Sequence, residues 1–204
     1  MPPSTDSKQQ ATVWLKPEQV EAMRNHIVRD SRSVLKQRND SLIQFLYDTG
    51  LRVGEGMQVD TEHLDMDEGV LGLPAGLQKD YPTDGSPTYT EIELAEETTR
   101  VLDQYLSNRW KASPALFPSL QSERMTTEAV RGVVRQAAEA AKVQPHTVRG
   151  RGEPTDVTPH TLRHSVAYRM LNHEDGNTLY NVRNRLRHAT IQTTEKVYDH
   201  FDRV

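Results

Sequence analysis

The sequence contains no cysteine among its 204 residues. Disulfide frameworks and zinc sites built on thiolates are therefore excluded. No apolar run approaches the roughly 20 residues that a membrane-spanning helix needs. The first twenty residues are polar and carry no signal-peptide core. A soluble cytoplasmic protein is the default these absences leave. The chain is also short of positive charge, with a net charge of −4, whereas a nucleic-acid-binding domain is usually basic. No internal repeat is visible. The length suits one domain with a full hydrophobic core, or one domain plus a short extension.

The net charge hides an asymmetry. Residues 1–141 hold 15 Lys/Arg against 22 Asp/Glu, while residues 142–204 hold 10 against 7 and six of the eight histidines. The balance is −7 in the first part and +3 in the second. The acidic part fits a solvated outer surface or adaptation to high salt equally well.

Residues 1–13 are polar and rich in Pro, Ser and Gln, and read as a disordered leader before a single domain over 14–204. Pro17 opens a helix to about Val28. A second helix covers about Arg38 to Thr49, with Leu42, Phe45 and Leu46 on one side and Gly50 as its stop. Residues 60–97 change character: short apolar runs, Val70-Leu71-Gly72-Leu73 and Ile92-Glu93-Leu94, are split by Gly, Pro and Asp. They read as a small antiparallel sheet. Helices follow at about Glu96–Arg109, Thr126–Lys142, Pro159–Leu171, Thr178–Leu186 and Thr190–Tyr198. Gly150-Arg151-Gly152-Glu153-Pro154 reads as a loop. The fold class is α+β, mostly helical, with the small sheet at one edge.

The chemistry concentrates in His160-Thr161-Leu162-Arg163-His164, in His188, and in Tyr198. Thr158-Pro159 is a helix start, with a Thr cap and Pro at the first helical position. His160 and Arg163 stand at i and i+3 and share a face. His160 also lies in the first turn, where free N–H groups and the dipole favour an anion. An imidazole, a guanidinium and a helix N-terminus aimed at one point make a phosphate site. A tyrosine delivered there suggests covalent attack on phosphorus.

These residues resemble the active site of the tyrosine recombinases, the phage-integrase family of site-specific DNA recombinases. Thr49-Gly50-Leu51-Arg52-Val53-Gly54-Glu55 matches the family's first block and His160 to His164 its second. Leu186-Arg187-His188 through Tyr198-Asp199-His200 matches the third. The blocks come in the family's order and the likeness covers about residues 15–202. Gly56 departs from the pattern, standing where a large apolar residue is usual, and Arg187 stands where Gly usually precedes the second His. The stretch Gln78-Lys79-Asp80-Tyr81-Pro82 resembles integrases of salt-loving archaea, a haloarchaeal likeness in particular. The resemblance leads us to expect an N-terminal core-binding domain, which clamps DNA, ahead of this region, and this chain matches only the catalytic part. That implies either an excised catalytic domain or a naturally short member.

The resemblance implies six catalytic residues: Arg52, Lys79, His160, Arg163, His188 and Tyr198. A phosphodiester repels nucleophiles, so catalysis must neutralise its oxygens, activate the nucleophile and protonate the leaving alkoxide. Arg52 and Arg163 suit the first task, because a guanidinium pairs two oxygens and stays charged. Lys79 is the only Lys or Arg between Arg52 and Arg100, in an acidic segment. It would protonate the departing 5′ oxygen; otherwise it is a solubilising turn residue paired with Asp80. His160 would donate to a phosphate oxygen or help deprotonate Tyr198, and His188 would bond the same phosphate. His164 reads as a packed or buttressing residue, and so does Glu55. Arg149, Arg151, Arg183, Arg185 and Arg187 are candidate contacts to the DNA backbone. His160 and His164 have the i, i+4 spacing of a metal pair, but Thr161 stands where a zincin has Glu and no third ligand follows, so no metal and no cofactor are expected.

The implied partner is double-stranded DNA, worked on by a homotetramer across paired sites, with a monomer in isolation and no membrane. The implied reaction cuts and rejoins DNA through a 3′-phosphotyrosine. Three other readings stay open. A type IB topoisomerase would use nearly the same residues without exchanging ends. A catalytically silent DNA-binding module would occupy a site without cutting, and a nuclease would require metal.

Overall fold

The computed structural model describes residues 13–29, 35–78 and 89–201. Lys79, Asp80, Tyr81 and Pro82 lie outside the described residues, as do residues 1–12 of the expected leader. Helices dominate. They are α1 (Pro17–Arg29), α2 (Lys36–Thr49), α3 (Val53–Gly56), α4 (Glu96–Asn108), α5 (Thr127–Ala140), α6 (Pro159–Asn172), α7 (Leu179–Leu186) and α8 (Ile191–Tyr198). Among the described residues, no helix is long and apolar enough to cross a membrane.

Helix α2 is the axis of the core. It packs against α1, α4 and α6, and Leu42, Ile43 and Phe45 are fully buried. Each such side chain contributes about 1.5–3 kcal/mol by leaving water. The helix is buried on nearly every side although nine of its 14 residues are polar. That is tolerable because those polar groups are bonded. Asp40 takes the Arg24 guanidinium at 2.7 Å. Ser41 donates to the Val101 carbonyl at 3.2 Å and Gln44 to the Thr98 hydroxyl at 2.9 Å. The helix stops where Gly50 turns left-handed at φ 64°. A side chain on Gly50 would meet the Leu186 methyl at 2.5 Å, so only glycine lets α7 come this close.

The expected sheet is present as β2 (Leu64–Asp65), β3 (Val70–Pro74) and β4 (Tyr89–Glu93), antiparallel in that order. In β3, Leu71 and Leu73 face the core and are fully buried. A second sheet was not expected. Its strands are β1 (Val13–Trp14), β5 (His146–Thr147) and β6 (Gly150–Arg151). Val13 therefore belongs to the folded domain rather than to the leader, and Gly150–Arg151 is a strand rather than loop. Strands of two residues carry no periodicity to read. Their pairing is long-range as well: Val13 opposes Thr147 and Trp14 opposes His146. Trp14 then packs edge-on against Phe201 at 4.9 Å between ring centres, tying the start of the domain to its end.

Candidate active site

Three arginines from the C-terminal half hold the end of α2. Arg169 donates to the Tyr47 carbonyl at 3.1 Å and Arg185 to the Asp48 carbonyl at 2.9 Å. Arg163 donates to the Gly50 carbonyl through Nη1 and to the Leu186 carbonyl through Nη2 at 2.6 Å. These carbonyls include the orphan acceptors at the negative end of a helix dipole, where cations are favoured. The Asp48 carboxylate adds a 2.6 Å ion pair to Arg185 and accepts the Ala95 backbone N–H at 2.8 Å. The result fixes the turn that delivers Arg52.

Arg52 caps α3. Its backbone N–H donates to Glu55 Oε2 at 3.0 Å, and its Nη1 lies 3.4 Å from Glu55 Oε1. At Gly56, which departs from the family pattern, an added Cβ would stand 3.1 Å from a Leu46 methyl, so a large side chain would not fit there without movement.

Helix α6 begins as expected. The Thr158 hydroxyl accepts the Thr161 N–H at 3.3 Å and Pro159 occupies the first turn. That turn presents His160, exposed, beside Arg163, which is 2 % exposed. Burial, and then Arg52, lower the Arg163 pKa to about 10, so it remains charged at neutral pH. Partial desolvation, with Arg163 and Arg52 adding to it, lowers the pKa of His160. Arg52, His160 and Arg163 line one cavity of about 540 Å³, together with Gln58, Gln78 and Arg131. Three groups from two distant parts of the sequence thus converge on one space.

His188 and Tyr198 do not line this cavity, but the charges of Arg163 and Arg52 act on both. His188 follows the left-handed residue Arg187, and its Nδ1 is 2.9 Å from the Thr194 hydroxyl. Burial lowers its pKa to about 3, helped by Arg163 and Arg52. Its ring stacks on Tyr198 with 5.9 Å between centres and 4° between planes. Tyr198 is 1 % exposed. Its hydroxyl is hydrogen-bonded to His164 Nδ1 at 2.9 Å. Burial pushes the phenol up to about 12, against the pull of Arg163 and Arg52. Burial also takes His164 down to about 3. His160 meets His164 edge-on at 4.2 Å. Among the described residues, no group of three or more His, Asp or Glu is gathered to hold a metal ion.

The structure thus brings Arg52, His160, Arg163, His188 and Tyr198 together, and Lys79 lies outside the described residues. Two of the arginines expected on the DNA face are turned inward instead. Arg187 is 3 % exposed and pairs with Glu55 at 2.7 Å. Arg185 is spent on Asp48 and on the Glu93 carbonyl at 2.7 Å. Each finds a buried carboxylate that would otherwise be uncompensated, which no local pattern announces. Arg149 and Arg151 are exposed on the β5–β6 hairpin, and Arg183 lies half-buried over the Tyr180 ring. Arg131, at the cavity wall, was missed. It is a helix-surface arginine with an i, i+3 partner in Glu128, and nothing in its neighbourhood marks it.

A sequence model of the phage integrase family matches residues 13–203. Tyrosine recombinase XerC of Pseudomonas aeruginosa is 30% identical over 171 residues, covering 82% of this chain and 49% of that protein. Tyrosine recombinase XerD of the same organism is 29% identical over 172 residues, covering 81% of this chain and 50% of that protein. The chain spans about half the length of the curated relatives it matches. Among solved structures, XerA recombinase superposes with a TM-score of 0.71 at 23% identity, covering 100% of this chain and 62% of that one. XerH site-specific recombinase, bound to a palindromic difH substrate in a post-cleavage complex, gives 0.72 at 20% identity over 98% of this chain and 53% of that one. The Tn1549 transposon integrase in complex with transposon right end DNA gives 0.73 at 21% identity, covering 98% of this chain and 64% of that one. These structures share the fold, a mostly helical catalytic domain with small antiparallel sheets.

Proposed function

The chain belongs to the phage integrase family, and on that premise we propose that it cuts and rejoins double-stranded DNA at specific sites through a 3′-phosphotyrosine at Tyr198. The observation that carries this reading is the convergence of Arg52, His160 and Arg163 on one cavity, with the charges of Arg163 and Arg52 acting also on Tyr198 and on the His188 ring stacked against it. Arg52 and Arg163 neutralise the non-bridging oxygens as phosphorus becomes five-coordinate. His160, at the mouth of the cavity, donates to a phosphate oxygen or takes the tyrosine proton. His188 bonds the same phosphate. Lys79, which follows the cavity residue Gln78 in the chain, protonates the departing 5′ oxygen. The phosphotyrosine conserves the energy of the phosphodiester, so a new 5′ hydroxyl can close the strand without ATP.

A phenol with a pKa of about 12 is ionised to about one part in 10⁵ at neutral pH. Tyr198 as seen is therefore a resting nucleophile. DNA binding must move its hydroxyl from His164 into the cationic cavity, where the phenolate is stabilised. No metal is required, since two guanidiniums and two imidazoles supply the charge a metal otherwise would.

The folded residues act as the catalytic domain, in the cytoplasm, and the working assembly is a homotetramer on two paired duplexes. The haloarchaeal likeness of residues 78–82 remains a proposal about sequence kinship alone; the XerC and XerD relatives reported are bacterial. The test is covalent capture. The chain is incubated with nicked duplexes whose bases around the nick are randomised, with chelator present, and run on a denaturing gel. A protein–DNA adduct lost in Tyr198→Phe is expected. Strand cleavage that requires magnesium and leaves no adduct would instead indicate a nuclease, and strand rejoining without exchange of ends would indicate a topoisomerase.

A further inference from the structure

Arg187 stands where the resemblance places glycine, and it adopts glycine's conformation, with φ 54° and ψ 49° at the cap of α7. A side chain is disfavoured there unless it supplies something glycine cannot. What it supplies is a buried cation. Nη2 of Arg187 lies 2.7 Å from Glu55 Oε2, with both side chains almost fully buried. Glu55 also faces Arg52: Oε2 accepts the Arg52 N–H at 3.0 Å, and Oε1 is 3.4 Å from Arg52 Nη1. Two guanidiniums therefore share one carboxylate, and the shorter contact is Arg187's. A buried carboxylate without Arg187 would draw a remaining cationic neighbour inward, because attraction between opposite charges is strong away from water. Among the described residues Arg52, which lines the cavity, is so placed.

We infer that Arg187 is a positioning residue: by holding Glu55 in a buried ion pair, it keeps the Arg52 guanidinium directed into the cavity for an oxyanion. The inference rests on the reading above for the identity of that oxyanion, a DNA phosphate. It also explains why a residue other than glycine persists in a left-handed turn. The turn itself presents His188, whose N–H donates to the Arg183 carbonyl at 3.0 Å. Glycine at 187 preserves that turn, so Arg187→Gly removes the charge without disturbing the backbone.

Four proteins are compared: the unaltered chain, Arg187→Gly, Glu55→Gln and the double variant. Two quantities are read. One is the affinity for inorganic phosphate at low ionic strength by calorimetry, with Arg52→Gln as the baseline for phosphate bound elsewhere. The other is the rate of covalent capture on saturating nicked duplex. Arg187→Gly is expected to weaken phosphate binding and to slow capture by about 10-fold to 100-fold, the usual effect of removing a group that orients a ligand-binding side chain. The double variant is expected to recover most of both, because no anion is left to draw Arg52 away. A merely structural arginine would show no such rescue. Phosphate affinity unchanged in Arg187→Gly, or a double variant no better than Arg187→Gly, overturns the inference. If no variant forms an adduct, the recombinase reading fails and the phosphate affinities alone decide the role of Arg187. If circular dichroism shows Arg187→Gly to be unfolded, Arg187→Asn, alone and with Glu55→Gln, is read by the same criteria, since asparagine also accepts the left-handed turn.

Discussion

The Tyr198 hydroxyl and His164 Nδ1 are joined by a 2.9 Å hydrogen bond in the interior of the domain. This bond sets the resting state of the proposed nucleophile. It predicts two separable effects of Tyr198→Phe. Covalent capture should vanish, because only the hydroxyl can attack phosphorus. DNA affinity should hold within about 2-fold, since a shift below RT is all that losing an unexposed group would cause. Stability should fall by about 1 kcal/mol in urea unfolding, as the His164 nitrogen loses its partner. Adduct persisting in the variant would assign the nucleophile to another residue.

A second prediction concerns acid stability. Burial holds His164 and His188 neutral, with pKa values of about 3, where an ordinary histidine titrates near 6.5. As pH falls, the unfolded chain binds protons on these residues before the folded chain does. Stability from this source is complete above about pH 6.5 and is lost progressively toward pH 3. Each ring contributes a slope of about 1.4 kcal/mol per pH unit, so both together contribute nearly 3. Urea midpoints measured between pH 6.5 and 5, before carboxylates titrate, should show the decline. His164→Gln should reduce the slope by about half. A variant as steep as the unaltered chain would mean that His164 is not buried neutral.

Much of this architecture is legible in the sequence, and the reason differs by element. Helix α6 announces itself because Thr158 and Pro159 form a local start signal. Helix α2 ends where Gly50 must. The β2–β4 sheet is visible because Gly, Pro and Asp punctuate its apolar runs. The three motif blocks carry Arg52, His160, Arg163, His188 and Tyr198 in recognisable company. What escapes is what depends on partners far along the chain. Strand β1 exists only because His146–Thr147 comes to it. Arg185 and Arg187 look like surface cations until Asp48 and Glu55 appear beside them. The sequence marks His164 as a buttress, but not that the group it buttresses is the Tyr198 hydroxyl.

The inward turn of Arg185 and Arg187 changes what salt should do. Five arginines outside the motif blocks' catalytic set, together with Arg163, would suggest a steep dependence of DNA binding on salt. With Arg149, Arg151 and Arg183 left to meet backbone phosphates, and Arg52 and Arg163 sharing the scissile one, the slope of log K against log salt should be about −3.6, at roughly −0.9 per neutralised phosphate. Arg149→Gln and Arg151→Gln should each make it shallower by about 0.9. Fluorescence anisotropy on a duplex across a salt series reads both. A slope of about −5 or steeper would place Arg185 and Arg187 on the DNA after all.

The last prediction tests Lys79 as the proton donor to the leaving group. Between Arg52 and Arg100 it is the sole basic residue of an acidic segment, and Gln78, its neighbour in the chain, lines the cavity that Arg52, His160 and Arg163 share. An ammonium in reach of the bridging 5′ oxygen would protonate it as the strand breaks. Lys79→Ala should then slow cleavage by about 10²–10⁴-fold, the usual contribution of a positioned general acid. Replacing the bridging 5′ oxygen by sulfur should restore the rate of this variant, because a thiolate leaves without a proton. The same sulfur should not restore Arg163→Ala, whose partner is a non-bridging oxygen and whose loss leaves the transition-state charge uncompensated. Single-turnover cleavage of matched oxygen and sulfur substrates by the two variants separates the roles. Lys79→Ala cutting ordinary DNA at the normal rate, or sulfur rescuing neither variant, would make Lys79 a solubilising turn residue. The proton would then have to come from elsewhere, and His160, at the mouth of the cavity, would be the first residue to test.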